Sequence, residues 1–264
     1  MPFPFHPQKH RLEPLFSAVD FHRYVANRRK TPSPRLPRNI VVVFGSRWEK
    51  YLGRRYRGAY DPLTGVFRAN RTVGVAWQTG PGSPYSAIVI EELSALDANR
   101  FLIVGMAGSL QSGPPIGSFV VCTKALRDEG TSHHYARPTP FAYPDAGLTR
   151  ALKAMLRRKG IPFAEGPTWT TDAPYRETRA EIRRYRSMGI LTVEMEASAV
   201  FSVARHLGRK AAALFVVSDH LSEEGWQPRF HETRTPLRQA LDVAVSTLAS
   251  QRLLQGRQAS RLRP

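Results

Sequence analysis

The sequence predicts an α/β domain on a largely parallel sheet, and three observations carry that expectation. Short continuous apolar runs at 40–44, 101–104 and 211–217 have the length and composition of strands covered on both faces. Segments of helical period separate the strands, and Gly-rich turns follow two of them. With 264 residues, 42% of them hydrophobic, the chain can bury one sizeable core.

The elements follow in order. Residues 1–38 are proline-rich and hold eight Lys or Arg against two acids, which reads as a basic extended arm with one short helix at 16–27. The fold proper starts at 40–44, a strand ending in Gly45-Ser46. Residues 46–71 read as a basic loop region carrying Tyr51, Tyr56 and Tyr60. A strand at 72–78 runs into the turn 79–84, and a helix at 85–98 places Ile88, Leu93 and Leu96 toward a sheet. The strand at 101–104 ends in the turn 105–109, and a strand at 118–123 and a helix at 145–159 come next. The segment 166–178 precedes a helix at 179–187, and the last helix is expected at 235–254. Residues 191–221 read as strand, helix and strand, the pattern of a parallel βαβ unit.

Composition excludes several classes. Of the net charge of +18, most sits in residues 1–38, 47–71 and 250–264, and 72–249 are near balance. A basic stripe can attract polynucleotide, yet no nucleic-acid motif is present, which argues against a nucleic-acid partner. No apolar run approaches the roughly 18 residues of a membrane span, and the start has no apolar signal core, so a cytoplasmic protein is expected. Cys122 is the single cysteine and lies in a strand-like run, as a buried inert thiol would. The eight histidines show no zinc-site spacing.

Residues 191–221 carry the chemistry. Glu194, Glu196 and Asp219 fall at strand ends, where α/β sheets bind ligands. The competing reading makes Glu196 and Asp219 ordinary acids at helix N-termini. The turns at 79–84 and 105–109 can bring backbone N–H groups close to an anion or a sugar, though glycine also ends strands for steric reasons alone.

The ordered motifs TGPGSPYSAIVIEEL (79–93), VGMAGSL (104–110), IGSFVVCTKALRDEGTSHHY (116–135), WTTDAPYRET (169–178), VEMEASA (193–199) and VSDHL (217–221) resemble the nucleoside phosphorylase superfamily. That superfamily comprises purine and uridine phosphorylases and their nucleosidase relatives. The resemblance implies a single-domain three-layer sandwich, phosphorylase/hydrolase-like, with a central mixed, mostly parallel sheet flanked by helices. It sets a domain at 39–254 between the arm 1–38 and a basic tail 255–264. A homo-oligomer, dimer-based and up to a hexamer, is implied as well. The substrate is then a small-molecule nucleoside. No metal or organic cofactor is implied; inorganic phosphate is co-substrate if the reaction is phosphorolysis.

The roles transfer position by position. Glu196 matches the glutamate that binds the ribose hydroxyls, Met195 matches the methionine packed on the sugar face, with plain core packing as the alternative, and Glu194 matches a neighbouring pocket glutamate. Trp169 matches a base-stacking aromatic, with an ordinary core aromatic as the alternative. Asp219, beside Ser218, matches the aspartate that faces N7 of a purine and can protonate it as general acid. His134 is placed toward the ribose 5′ side, with packing beneath its loop as the alternative.

The chain departs from the phosphorylase pattern where phosphate binds. Ile103 and Met106 replace an arginine and a Ser or Thr, and the first loop, Gly45 to Glu49, lacks the Gly-Asp-Pro-x-Arg start. Arg47, or Arg54, Arg55 or Arg57 across a subunit interface, is the candidate replacement near Gly45 and Gly105. Glu49 stands near the base that nucleosidases use to activate water, although Lys50 lies opposite that base without gaps. Phosphorolysis, hydrolysis and a binding protein without catalysis therefore stay open.

Overall fold

The computed structural model describes residues 4–6, 8–30, 34–45 and 48–250. In chain order the elements are α1 (Ala18–Arg29), β1 (Asn39–Phe44), α2 (Glu49–Arg55), β2 (Tyr60–Asp61), β3 (Val66–Arg68), β4 (Val73–Thr79), α3 (Ser83–Ala95) and β5 (Arg100–Ser109). There follow β6 (Phe119–Asp128), β7 (Phe141–Ala142), α4 (Ala146–Arg158), β8 (Phe163–Thr171), α5 (Arg179–Ser187), β9 (Thr192–Glu194), α6 (Ala197–His206), β10 (Lys210–Leu221), β11 (Trp226–Pro228) and α7 (Arg234–Ala249).

One sheet links all eleven strands in the order β11-β10-β6-β8-β9-β5-β1-β4-β3-β2, with β7 on β6. A further pairing of β10 with β5 closes β5, β10, β6, β8 and β9 into a ring. The long pairings are parallel, β5 with β10 and β6 with β8 above all. Alternation along the strands builds two cores. Val41, Val43, Leu102 and Val104 pack with residues of α4 and α7, whereas Ile40, Val42, Phe101 and Ile103 pack with α3 and α6. The result is a three-layer sandwich, since each face of a sheet with period-2 apolar residues needs its own helical cover.

Local chemistry explains the helix ends. Asp145 caps α4 by accepting the Leu148 N–H at 2.7 Å, and Thr178 with Glu181 forms a capping box on α5. The described part of the N-terminal arm folds back on the domain. Its helix α1 begins at a Ser17–Asp20 capping box and packs on α3, with His22 Nε2 3.2 Å from the Glu92 carbonyl oxygen.

Three expectations need correction, and one strand went unread. The region 46–71 contains α2, β2 and β3, because Leu52, Val66 and Phe67 find the α7 and sheet surfaces. The strand at 101–104 does not stop at Gly105: β5 runs on to Ser109, paired throughout by β10. Residues 163–171 form a full strand, β8, although its threonines hide the apolar signal. Finally, residues 191–221 are not a parallel βαβ unit. Strand β9 is antiparallel to β5, whereas β10 is parallel to it, so the two run in opposite directions. Three residues of β9 are too few to fix a direction from their own pattern; pairing with β8 and β5 decides it.

Candidate active site

The acidic strand ends meet around the last residues of β5. Gly108 pairs with Val193 of β9 on one side and with Asp219 of β10 on the other. A Cβ at Gly108 would lie 2.3 Å from Leu221 Cδ1 and 3.0 Å from Asp219 Oδ2, so a larger residue here would have to displace the Leu221 and Asp219 side chains.

On the β9 side, Glu194 is buried and its carboxylate is fully engaged. Oε2 accepts the N–H groups of Glu196 at 2.8 Å and Ala197 at 2.7 Å, and Oε1 accepts the Thr170 hydroxyl at 2.6 Å. Glu194 therefore caps the N-terminus of α6 from the preceding strand. Thr170 Oγ1 in turn accepts the Ser198 N–H at 3.1 Å. Glu196, also buried, accepts the Gly82 N–H at 2.7 Å, and the Ser83 hydroxyl donates to the Met195 carbonyl at 2.7 Å. These two bonds latch the turn before α3 onto the acidic strand end, and Gly82 has a φ of 105° that side chains rarely adopt. Burial raises the pKa of both glutamates, and the Glu196 charge adds to the rise at Glu194; the donors just described oppose it.

On the β10 side, Asp219 Oδ1 accepts the Ser218 hydroxyl at 2.6 Å and Oδ2 accepts the Trp226 indole N–H at 2.8 Å. Strand β11 brings Trp226 there by folding back on β10, with Asp219 opposite Pro228. Glu177, in the turn before α5, has its carboxyl pushed up to about 7 by burial and then by the negative charge of Asp219. Sequence reasoning quoted the segment that contains Glu177 without singling it out. Thr170 and Trp226 were missed in the same way, since their partners lie 24 and 7 residues away and only the sheet brings them together.

The remaining candidates fall as follows. Trp169 takes the core position that was the alternative to base stacking. It is 1% exposed among Leu110, Leu126, Ile182, Ile190, Val193 and Leu221, with its indole N–H on Asp128 at 2.9 Å and Tyr185 edge-on at 4.7 Å. Thr170, its neighbour, takes the opposite face of β8 toward Glu194, and strand alternation leaves Trp169 pointing into the core. His134 lies in the short helical turn Thr131–His134, packed with α3, α6 and the turn Lys9–Arg11 of the arm. Burial and nearby Lys9 lower its pKa. Arg47 lies outside the described residues. Gly45 ends β1 at a φ of 87°, and Glu49 is exposed in the first turn of α2. Gly105 packs against the Phe44 ring. Ile103 is fully buried in the core under α3 and α6, whereas Met106 is 43% exposed, with the Thr233 hydroxyl on its sulfur at 3.4 Å. Arg55 is tied to Asp242 at 2.8 Å, an acid that also accepts the Tyr56 hydroxyl at 2.6 Å.

Fold and site together define a three-layer α/β protein with buried carboxylates on both sides of a strand end. The family model of the phosphorylase superfamily matches residues 49–253, and the chain belongs to that superfamily of nucleoside phosphorylases and nucleosidases. It is 35% identical over 143 residues to a guanosine phosphorylase of Halorubrum lacusprofundi, a match covering 54% of this chain and 59% of that protein. It is 33% identical to a uridine phosphorylase of Thermococcus kodakarensis, covering 67% of this chain and 68% of the relative. In fold it resembles an AMP nucleosidase from Bacteroides thetaiotaomicron, with TM-score 0.72, 19% identity and coverage of 88% of this chain and 97% of the other. Among the described residues no helix is long and apolar enough to cross a membrane.

Proposed function

We propose that this chain cleaves the N-glycosidic bond of a purine-type nucleoside, with phosphate as acceptor and free base and ribose 1-phosphate as products. It needs no metal or organic cofactor and works as a homo-oligomer. The observation that carries the purine reading is Asp219, set opposite Gly108 of β5 and held by Ser218 and Trp226, with its charge felt at Glu177. A departing purine gathers negative charge, and an acid at its N7 stabilises it by proton transfer. The Trp226 indole only donates, so Oδ2 of Asp219 is the accepting oxygen. The Ser218 hydroxyl donates to Oδ1, so donors hold both oxygens of Asp219 in place. Glu177, held protonated up to about pH 7 by burial and by the charge of Asp219, is the source of the proton that passes by way of Asp219 to N7 as the glycosidic bond breaks. Across the strand, Glu196 exchanges its bond to Gly82 for the ribose hydroxyls and stabilises the positive charge of an oxocarbenium-like sugar.

Hydrolysis is the second reading, and a specific observation favours it: Ile103 belongs to the core, Met106 is an apolar side chain within β5, and Arg55 is committed to Asp242. Incubation with a nucleoside panel, with and without phosphate, separates the two. Base release that depends on phosphate and yields ribose 1-phosphate supports phosphorolysis. Release of free ribose without phosphate makes the chain a nucleosidase, and no release from any nucleoside refutes both.

A further inference from the structure

The cavity among Tyr143, Asp145, Phe201, Arg205, Arg209 and Ala211 has a volume of about 270 Å³. It lies between the N-terminus of α4, the C-terminal end of α6 and the start of β10. Asp219 lies near the other end of β10, eight residues or roughly 26 Å of strand from Ala211. The cavity is therefore separate from the carboxylate site.

Its lining is built for a compact anion. Arg209 donates through Nη2 to the Ser94 carbonyl at 3.2 Å, and its Nε is buried with no hydrogen-bond partner among the described residues. Arg205 is exposed at the cavity mouth and adds a second guanidinium. The one acid, Asp145, is turned to cap α4 through the Leu148 N–H at 2.7 Å, and Lys210 Nζ lies 3.9 Å from its other oxygen. Positive charge thus dominates, and the N-terminus of the 13-residue α4 adds to it. The buried Phe201 ring and Ala211 give the floor an apolar surface. The volume falls just below the roughly 300 Å³ at which drug-sized pockets begin, which suits a small ligand.

We propose that this cavity is a second anion site, taking a small phosphate-bearing ligand, either free phosphate or a phosphate carried on a pentose. Two guanidiniums bind a phosphate through paired N–H donors, and the apolar floor accommodates a sugar face.

Calorimetric titration of the full chain with inorganic phosphate, ribose 5-phosphate and plain ribose tests it. At least one phosphate probe is expected to bind and ribose is not; a preference for ribose 5-phosphate identifies the pentose phosphate as ligand, and equal binding identifies the phosphate group alone. Arg205→Gln and Arg209→Gln are each expected to weaken binding roughly ten- to a hundredfold. The exposed Arg205 side chain makes no hydrogen bond or ion pair among the described residues, so Arg205→Gln is expected to fold as the parent does even if loss of the Ser94 contact harms Arg209→Gln. Equal affinity in the parent and Arg205→Gln, or no binding of either phosphate probe, overturns the proposal. So does binding that Glu196→Gln abolishes and Arg205→Gln leaves intact, because it belongs to the carboxylate site.

Discussion

Thr170→Val removes one hydroxyl from the centre of the acidic site and keeps the shape of the side chain. Thr170 is fully buried; its hydroxyl donates to Glu194 at 2.6 Å and its oxygen accepts the Ser198 N–H at 3.1 Å. A bond to a charged carboxylate contributes about 1.5–3 kcal/mol, and an orphaned buried N–H costs about 1–3 kcal/mol. Partial relaxation of α6 makes the two losses overlap, so a net destabilisation of about 3 kcal/mol is expected. The loss depends on pH, and its sign follows from Glu194. Burial holds the pKa of that carboxyl above the ordinary glutamate value, and the Thr170 bond pulls it down by favouring the charged form. The variant raises it further, so destabilisation grows as pH rises through the titration of Glu194 and shrinks as pH falls below it. Urea unfolding followed by tryptophan fluorescence at about pH 6 and about pH 9 measures both terms. A change under about 0.5 kcal/mol at both values, within the range of ordinary surface substitutions, would refute the network as the support of this site.

Three further outcomes are expected. Glu196→Gln, with unchanged circular dichroism, should lower turnover by roughly 10²–10³, the cost of losing one electrostatic stabiliser of the transition state; unchanged turnover on an accepted nucleoside would remove Glu196 from catalysis. Asp219→Asn should slow natural purine nucleosides far more than substrates with an activated leaving group, and equal losses on both would argue against proton donation. With Glu177 held near 7, kcat should fall as pH rises through that value, because the proton reserve empties. Glu177→Gln, neutral at every pH, should abolish that alkaline limb, and a limb at the same pH in the variant would separate Glu177 from the reaction.

The sequence by itself determined the elements whose signals are local. Helices α4, α5 and α6 were readable because apolar period, caps such as Asp145 and Thr178, and stops such as Gly160 and Gly208 all lie within a few residues of the element they define. Glu194, Glu196 and Asp219 were readable as acids at strand ends because carboxylates that follow apolar runs are conspicuous in the chain itself. Tertiary structure alone decided the direction of β9, the closure of β5, β10, β6, β8 and β9 into a ring, and the turning of Trp169 into the core. It also brought Glu177 toward Asp219, across a separation of 42 residues. A strand's side chains announce which positions share a face, but its partner and direction are chosen by backbone pairing with distant segments. A three-residue strand such as β9 therefore carries almost none of that information in its own sequence.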